Sequence, residues 1–129
     1  AQQVAPEDAR ITQEHIEYPS PNGYGTMRGY LVKPAGASGR APGILVIHEN
    51  RGLNPHIEDI ARRLAVDGFV AFAPAALFPL GGYPGNEDAA REQFGKLEQP
   101  KTREDFVAAA AFLRARPECT GKIGAVGFC

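Results

Sequence analysis

The sequence contains few of the residues that build disulfide frameworks, membrane spans or nucleic-acid surfaces. Its 129 residues include two cysteines and no tryptophan, and two cysteines are too few for a disulfide-stapled fold. The formal net charge of −1 provides no basic surface for nucleic acid or for an anionic membrane. The longest apolar run, residues 71–80, contains two prolines and is much shorter than the ~20 residues of a membrane-spanning helix. We therefore expect a soluble protein, either cytoplasmic or periplasmic.

Metal-binding patterns are also missing. The chain has three histidines, and His48 and His56 stand near Glu49, but their spacing is not that of the His-Glu-x-x-His motif. No other cluster of ligand residues accompanies them. We therefore expect no metal, and nothing in the sequence indicates an organic cofactor.

The first third of the chain predicts an antiparallel hairpin. Residues 1–10 are polar, and we expect them to be frayed. Residues 11–18 predict an edge strand, and residues 26–32 predict an alternating strand that pairs with it. The proline-rich and glycine-containing residues 19–23 predict the turn between the two strands.

The remainder alternates between apolar runs and helical patterns. Residues 43–48 form a continuous apolar run without period-two alternation, which is typical of a central parallel strand covered on both faces. Residues 69–72 and 122–127 predict a second and a third apolar strand. Between them, amphipathic segments provide the crossovers. The order predicts an α/β domain over residues 11–129, with a mostly parallel sheet that follows the hairpin.

The helices have local start and stop signals. Asn54 as N-cap and Pro55 at the first helical position predict a helix that ends at Gly68. Two i,i+4 ion pairs are expected on it, Glu58 with Arg62 and Asp59 with Arg63. Two further helices are predicted at residues 88–97 and 102–116, with Thr102 as the cap of the second.

The sequence Gly127-Phe128-Cys129 follows the last predicted strand directly. In open α/β sheets, functional sites form beyond the carboxyl ends of the strands. A strand that leads into Gly-x-nucleophile is the first half of a nucleophile elbow, here with cysteine in the nucleophile position. This placement alone leaves two interpretations of Cys129 open: a catalytic thiol, or an inert cysteine at the end of a strand.

A second group, His48-Glu49-Asn50-Arg51-Gly52, follows the first parallel strand. That strand should lie near the last one, so Glu49 is expected beside the thiol, and the backbone amides after it should face the same space. Such amides can stabilise an oxyanion. A carboxylate beside the thiol disfavours the thiolate by like-charge repulsion, so the thiol would need an imidazole to take its proton. Neither His48 nor His56 is expected to be that base.

The sequence resembles the dienelactone hydrolase family of the α/β-hydrolase fold over nearly all of residues 11–129. The matching segments are Tyr18-Pro19-Ser20-Pro21-Asn22-Gly23, Gly29-Tyr30-Leu31-Val32-Lys33-Pro34, His48-Glu49-Asn50-Arg51-Gly52-Leu53-Asn54-Pro55, Gly81-Gly82-Tyr83-Pro84-Gly85-Asn86, and Thr120-Gly121-Lys122 leading to Gly127-Phe128-Cys129.

The resemblance implies a hydrolase that acts on ester or lactone bonds of small, anionic substrates. It implies that Cys129 is the nucleophile, that Glu49 contacts it, and that the Asn50 amide contributes to the oxyanion hole. Arg91 falls where the family places an arginine that binds the substrate carboxylate. Tyr83, in a glycine-rich rim loop, is a candidate for lining the substrate pocket.

The family's elbow continues with glycines, and its triad includes an Asp and a His that come later in the sequence. We therefore expect residues 11–129 to form the N-terminal half of one domain, which a later segment or a separate chain completes. Alone, these residues are expected to be inactive. Two alternatives remain open at this stage: a non-catalytic α/β fragment that serves in association, and a thiol-sensing or amidotransferase-like module.

Overall fold

The computed structural model describes residues 3–36 and 39–127, which form a five-stranded sheet with helices on both faces. The strands are β1 (Ile11–Ser20), β2 (Gly25–Pro34), β3 (Ala41–Ile47), β4 (Val70–Pro74) and β5 (Cys119–Gly127). The helices are α1 (Pro55–Val66), α2 (Glu87–Phe94) and α3 (Gln99–Arg114), with a 3₁₀ turn at Phe78–Leu80 in the loop before α2. None of the helices in these residues is both long and apolar enough to cross a bilayer.

The strands lie in the order β1-β2-β4-β3-β5. The hairpin of β1 and β2 is antiparallel, with β1 at the sheet edge, as predicted. Strand β3 pairs in parallel with both β4 and β5, which confirms the predicted α/β arrangement. The described sheet is mixed rather than mostly parallel, because β2 joins the parallel half through an antiparallel pairing with β4.

Each face of the sheet packs against a different helix. On one face, α1 packs against β2, β3 and β4, and on the other, α3 packs against β1, β3, β4 and β5. The first cluster includes Ile57, Ala61, Tyr30 and Val46, and the second includes Leu113, Ala109, Phe72, Leu45 and Tyr18. The parallel strands β3 and β4 are therefore covered on both sides, which accounts for their continuous apolar sequences.

The predicted signals at the ends of α1 are confirmed. The Asn54 side chain accepts a hydrogen bond from the Ile57 amide at 3.0 Å, and Pro55 is the first helical residue. Gly68 follows the helix with a φ of +103°, a conformation that favours glycine, and its amide donates to the Ala65 carbonyl. These local contacts fix the direction in which the chain leaves β3.

One of the two predicted ion pairs on α1 is wrong. Glu58 does not pair with Arg62; instead, its Oε2 lies 3.1 Å from Nε2 of His15 on β1. Arg62 is buried, and its Nη1 donates to the Tyr30 hydroxyl at 3.0 Å. A buried guanidinium needs partners inside the fold, so Arg62 combines this tertiary contact with a different helical neighbour, Asp59, whose Oδ1 lies 4.0 Å from its Nη2.

The N-terminal segment, expected to be frayed, is in part packed against α1. Val4 is buried, and the amides of Gln3 and Val4 both donate to Oδ1 of Asp59, at 2.9 and 2.8 Å. The predicted Asp59–Arg63 pair is present, with Nη2 of Arg63 2.6 Å from Oδ2 of Asp59. The fraying prediction failed for Gln3 and Val4 because a buried carboxylate binds their amides.

The start of α3 also differs from the prediction. The helix begins at Gln99, and the Thr102 amide already donates to the Glu98 carbonyl at 3.0 Å. Thr102 therefore lies inside the first turns and is not the cap. Pro100 is compatible with this earlier start because a proline in the first turn needs no amide partner.

Candidate functional site

The carboxyl end of β3 and the end of β5 meet at one edge of the sheet. The last described pairs of the parallel ladder are Val46 with Val126 and Ile47 with Gly127. The chain therefore leaves β3 at His48 directly beside the end of β5. This confirms the prediction that the first and last parallel strands are neighbours.

Cys129, the predicted nucleophile, lies outside the described residues. In the sequence it follows Gly127 by two positions, just as Glu49 follows Ile47 by two. The other cysteine, Cys119, is buried at the opposite end of β5. The assignment of the nucleophile therefore rests on sequence and family.

A tight turn follows β3 and orients the predicted oxyanion amide. The Gly52 amide donates to the Glu49 carbonyl at 3.1 Å, which closes a four-residue turn. Gly52 has a φ of +80°, and a Cβ there would lie 2.7 Å from Cδ1 of Leu77, so both conformation and space require glycine. Within the described residues, the Asn50 amide has no hydrogen-bond acceptor. It is available to a ligand, as an oxyanion donor must be.

The Glu49 side chain is held by Arg51. Its Oε1 lies 3.3 Å from Nε of Arg51, and Nη1 of Arg51 lies 3.7 Å from Oε2 of Glu87, the first residue of α2. The side-chain Nδ2 of Asn54 donates to the same Glu87 oxygen at 3.4 Å. Arg51 thus lies between two carboxylates, and this network connects the strand-end turn to α2. About a quarter of the Glu49 side chain is exposed, so the carboxylate can still contact a ligand or a thiol.

His48 is not a free base. Its side chain is buried, with Nδ1 2.7 Å from the Glu49 carbonyl and Nε2 3.0 Å from the Ala76 amide. Burial lowers the pKa of this imidazole, and hydrogen bonds to backbone groups only partly oppose that effect. Both ring nitrogens are occupied by the backbone, which agrees with the expectation that the catalytic base is another residue.

The two predicted substrate-binding residues lie in different places. Tyr83 is half-buried beside Gly52 and lines a cleft of about 270 Å³ together with His15, Arg28 and other residues. Arg91 is exposed on α2, with Nη1 3.6 Å from Oδ1 of Asp88. Within the described residues it has no ion pair with the turn after β3, although Glu87, one helical turn earlier, has one.

Metal binding finds no support among the described residues. No three His, Cys, Asp or Glu side chains there come together in a way that could hold an ion.

Sequence reasoning missed Glu87 and the role of the His48 ring. Glu87 is 36 positions from Arg51, and no local pattern connects them. It does stand in the first turn of a helix, where acidic residues are common for reasons of helix stability alone. The His48 contact with Ala76 likewise depends on the loop after β4, whose path the sequence does not specify.

Solved structures with this architecture superimpose on the chain. A "Putative Dienelactone Hydrolase" from Klebsiella pneumoniae aligns with a TM-score of 0.72 and 27% identity, over 92% of this chain and 50% of that one. The dienelactone hydrolase-like promiscuous phosphotriesterase P91, from metagenomic libraries, aligns with a TM-score of 0.72 and 29% identity, over 93% and 50%. The described strands and helices thus have the α/β-hydrolase fold.

The family follows from sequence comparison. The dienelactone hydrolase family matches residues 27–129. "Putative hydrolase fragment YghX" of Escherichia coli is 60% identical over 92 residues, which cover 71% of this chain and 79% of that protein. A "Putative carboxymethylenebutenolidase" of Synechocystis is 33% identical over 116 residues, covering 84% of this chain and 47% of the relative. The chain belongs to the dienelactone hydrolase family, and it spans about half the length of the Synechocystis relative.

Proposed function

We propose that the protein hydrolyses ester or lactone bonds of small, anionic substrates, with the Cys129 thiol as nucleophile. The observation that carries the proposal is the parallel pairing of β3 with β5, which ends at Ile47 and Gly127. It brings the turn that begins at Glu49 to the end of the strand that leads into Gly127-Phe128-Cys129. Family membership supports the same assignment.

In the proposed reaction, the thiol loses its proton to an imidazole and the sulfur attacks the acyl carbon. The carbonyl oxygen becomes an oxyanion, to which the Asn50 amide donates a hydrogen bond. Collapse of this intermediate breaks the acyl–oxygen bond, and the leaving oxygen takes the proton from the imidazolium. Water then hydrolyses the thioester and restores the thiol. The imidazole and its carboxylate partner belong to the part of the fold that completes this domain.

Two cationic side chains could bind an anionic substrate. Arg51 already lies between the carboxylates of Glu49 and Glu87, so a substrate would have to compete with both. Arg91 has a single exposed partner, Asp88, and a surface pair of this kind is worth little. We therefore assign binding of the substrate carboxylate to Arg91. We assign contact with the rest of a small substrate to the exposed part of the loop that contains Tyr83.

A second candidate is a non-catalytic fragment of a hydrolase. The name of the E. coli relative, a "hydrolase fragment", supports this candidate, and 79% of that relative's length matches this chain. Such a protein would retain the sheet and the strand-end turn but would not turn over an ester. An amidotransferase-like module, by contrast, gains no support from the family match.

The deciding experiment is an esterase assay on the whole protein with p-nitrophenyl acetate and with a small enol-lactone that bears a carboxylate. Cys129→Ala is expected to lower kcat/KM by a factor of about 10³ or more, whereas Cys119→Ala, which removes the buried thiol at the far end of β5, should leave it within a few-fold. Mass spectrometry of the quenched reaction should detect an acyl group on Cys129. Turnover that survives Cys129→Ala would contradict the thiol mechanism, and no turnover in the wild type would favour the fragment.

A further inference from the structure

We propose that His48 is a positioning residue that sets the direction of the Asn50 amide in the oxyanion hole. The proposal rests on the function proposed above, since the hole belongs to that reaction. It assigns a specific task to a buried imidazole that the mechanism does not otherwise use.

The two ring nitrogens of His48 face opposite kinds of backbone group. Nδ1 lies 2.7 Å from the Glu49 carbonyl, and Nε2 lies 3.0 Å from the Ala76 amide. A carbonyl can only accept and an amide can only donate, so Nδ1 carries the hydrogen and Nε2 is bare. The ring is therefore the neutral tautomer, held at both ends.

The bond to Glu49 acts on Asn50 through the peptide group that the two residues share. The carbonyl of Glu49 and the amide of Asn50 lie in one rigid plane and point in opposite directions. Fixing the carbonyl therefore fixes the N–H. Since Nδ1 of His48 holds the carbonyl, the N–H is directed away from the imidazole, where it has no acceptor among the described residues.

Within the described part of the chain, two donors reach the Glu49 carbonyl and so orient that peptide. The Gly52 amide donates to the same Glu49 carbonyl at 3.1 Å, longer than the 2.7 Å contact from His48. The Gly52 contact belongs to the turn itself and moves with it. Of these two donors, His48 is the one whose own side chain is fixed by other elements, since its second ring nitrogen binds the Ala76 amide.

The imidazole is well suited to hold this position. It is only 4% exposed, and it packs edge-to-face against Phe94 of α2 and Phe106 of α3, with ring centroids 6.2 and 5.9 Å away. Its other nitrogen is bound to Ala76 in the loop after β4. Three separate elements thus immobilise the ring, so the peptide between Glu49 and Asn50 needs no rearrangement when an oxyanion forms.

Two substitutions at His48 each remove one of its two hydrogen bonds and keep the other. His48→Asn places an amide N–H near the position of Nδ1, so it keeps the donor to Glu49 and loses the acceptor for Ala76. His48→Gln places an oxygen near the position of Nε2, so it keeps the acceptor and loses the donor. Both remove the ring from its aromatic neighbours, and the losses in packing are matched.

The first measurement is ¹⁵N relaxation of the Asn50 amide in the whole protein, which does not depend on catalysis. We expect the order parameter to stay near ~0.85 in the wild type and in His48→Asn, and to fall below ~0.6 in His48→Gln. The wild-type imidazole should carry its proton on Nδ1 by ¹⁵N chemical shift. A rigid Asn50 amide in His48→Gln, or a proton on Nε2, would overturn the proposal whatever the activity.

The second measurement is p-nitrophenyl acetate turnover by the same variants. Loss of one oxyanion donor costs about 10²–10³ in kcat, so a misdirected donor in His48→Gln should cost at least ~10-fold with KM nearly unchanged. His48→Asn should stay within a few-fold. Equal losses of kcat in both variants would indicate a merely structural role and reject the proposal. If the wild type does not turn over ester, the proposed function fails, and the relaxation data still decide the role of His48.

Discussion

Oδ1 of Asp105 on α3 lies 2.6 Å from the hydroxyl of Ser20, the last residue of β1. The same oxygen accepts the Tyr24 amide at 3.0 Å, and the Tyr18 hydroxyl donates to the Asp105 carbonyl at 3.0 Å. One buried residue thus fastens α3 to the turn of the hairpin. The hairpin forms one edge of the sheet. Helix α3 covers one face of the sheet, and its Phe106 packs against the His48 ring.

Asp105→Ala should therefore destabilise the whole fold. The substitution leaves the Ser20 hydroxyl and the Tyr24 amide without their acceptor, and we expect the free energy of unfolding to fall by about 3 kcal/mol. Urea unfolding followed by circular dichroism measures this. Arg103→Ala, at an exposed position of the same helix, is the control and should change stability by less than ~0.5 kcal/mol. Equal effects of the two substitutions would contradict the assigned role of Asp105.

Asp59→Asn should release the N-terminal segment. Burial alone would raise the pKa of Asp59, but hydrogen bonds from the Val4 amide, Arg63 and the Gln3 amide together lower it below its ordinary value. The carboxylate thus stabilises the fold above the pKa of the unfolded chain, and this contribution is lost as the pH falls through the folded pKa. We expect faster hydrogen exchange at the Val4 amide in the variant and a loss of about 2–3 kcal/mol at pH 7.

The difference in stability between wild type and Asp59→Asn should shrink in acid, because the protonated wild-type side chain then resembles the amide. A difference that stays constant from neutral pH to below the ordinary Asp range would disprove the linkage. Asp67→Asn, at an exposed position after the same helix, provides a comparison without buried partners.

The stability of the protein should also depend on pH through His48. Burial holds the pKa of this imidazole below its ordinary value. Below the unfolded value of about 6.5, the unfolded chain binds a proton at this position that the folded chain does not. Protonation of His48 therefore does not reduce the free energy of unfolding above that pH. Below it, the free energy of unfolding decreases as the pH falls toward the folded pKa. Thermal melts of wild type and His48→Asn over this range should converge in acid, and parallel curves would contradict the prediction.

Glu49→Gln should make the Cys129 thiol more acidic if the carboxylate lies beside it, because a like charge is removed. Arg51 would no longer be paired with Glu49, from which its Nε lies 3.3 Å away, and its freed charge should lower the thiol pKa further. The rate of iodoacetamide alkylation against pH gives the thiol pKa directly. Glu87→Gln, which alters the other partner of Arg51, is the matched control and should have a smaller effect. A thiol pKa that is unchanged or raised in Glu49→Gln would show that the Glu49 carboxylate does not lie beside the thiol.

Residues 1–129 expressed alone should self-associate. Within the described residues, β5 pairs only with β3. Ala125 on β5 is exposed, and Ile123 and Val126 are only partly buried. An unpaired strand edge with apolar side chains promotes association. We expect binding of a hydrophobic dye, concentration-dependent light scattering and no esterase activity. A monomer with a sharp thermal transition and Cys129-dependent turnover would refute this expectation.

The local features of the fold were predictable because short stretches of sequence encode them. Asn54 with Pro55 and the glycine at 68 predicted α1, since capping and left-handed backbone are properties of single residues. The apolar runs of β3 and β4 predicted parallel strands because burial on both faces leaves no position for a polar side chain. The run of β5 also predicted a parallel strand, but within the described residues this strand is largely exposed, which differs from the predicted burial on both faces. The motif from His48 to Gly52 indicated the site, because strand ends gather at one edge of an α/β sheet.

The contacts between distant elements were decided only by the tertiary structure. Asp105 and Ser20 are 85 positions apart, and Asp59 and Val4 are 55 apart. Arg62 was expected to pair with Glu58, but its buried guanidinium donates to the Tyr30 hydroxyl and the Val4 carbonyl and lies 4.0 Å from Oδ1 of Asp59. The contact of the His48 ring with the Ala76 amide depends in the same way on the loop after β4, and its packing depends on Phe94 of α2 and Phe106 of α3. Periodicity reports which side of an element is apolar, whereas the pairing of buried polar groups depends on which elements finally meet.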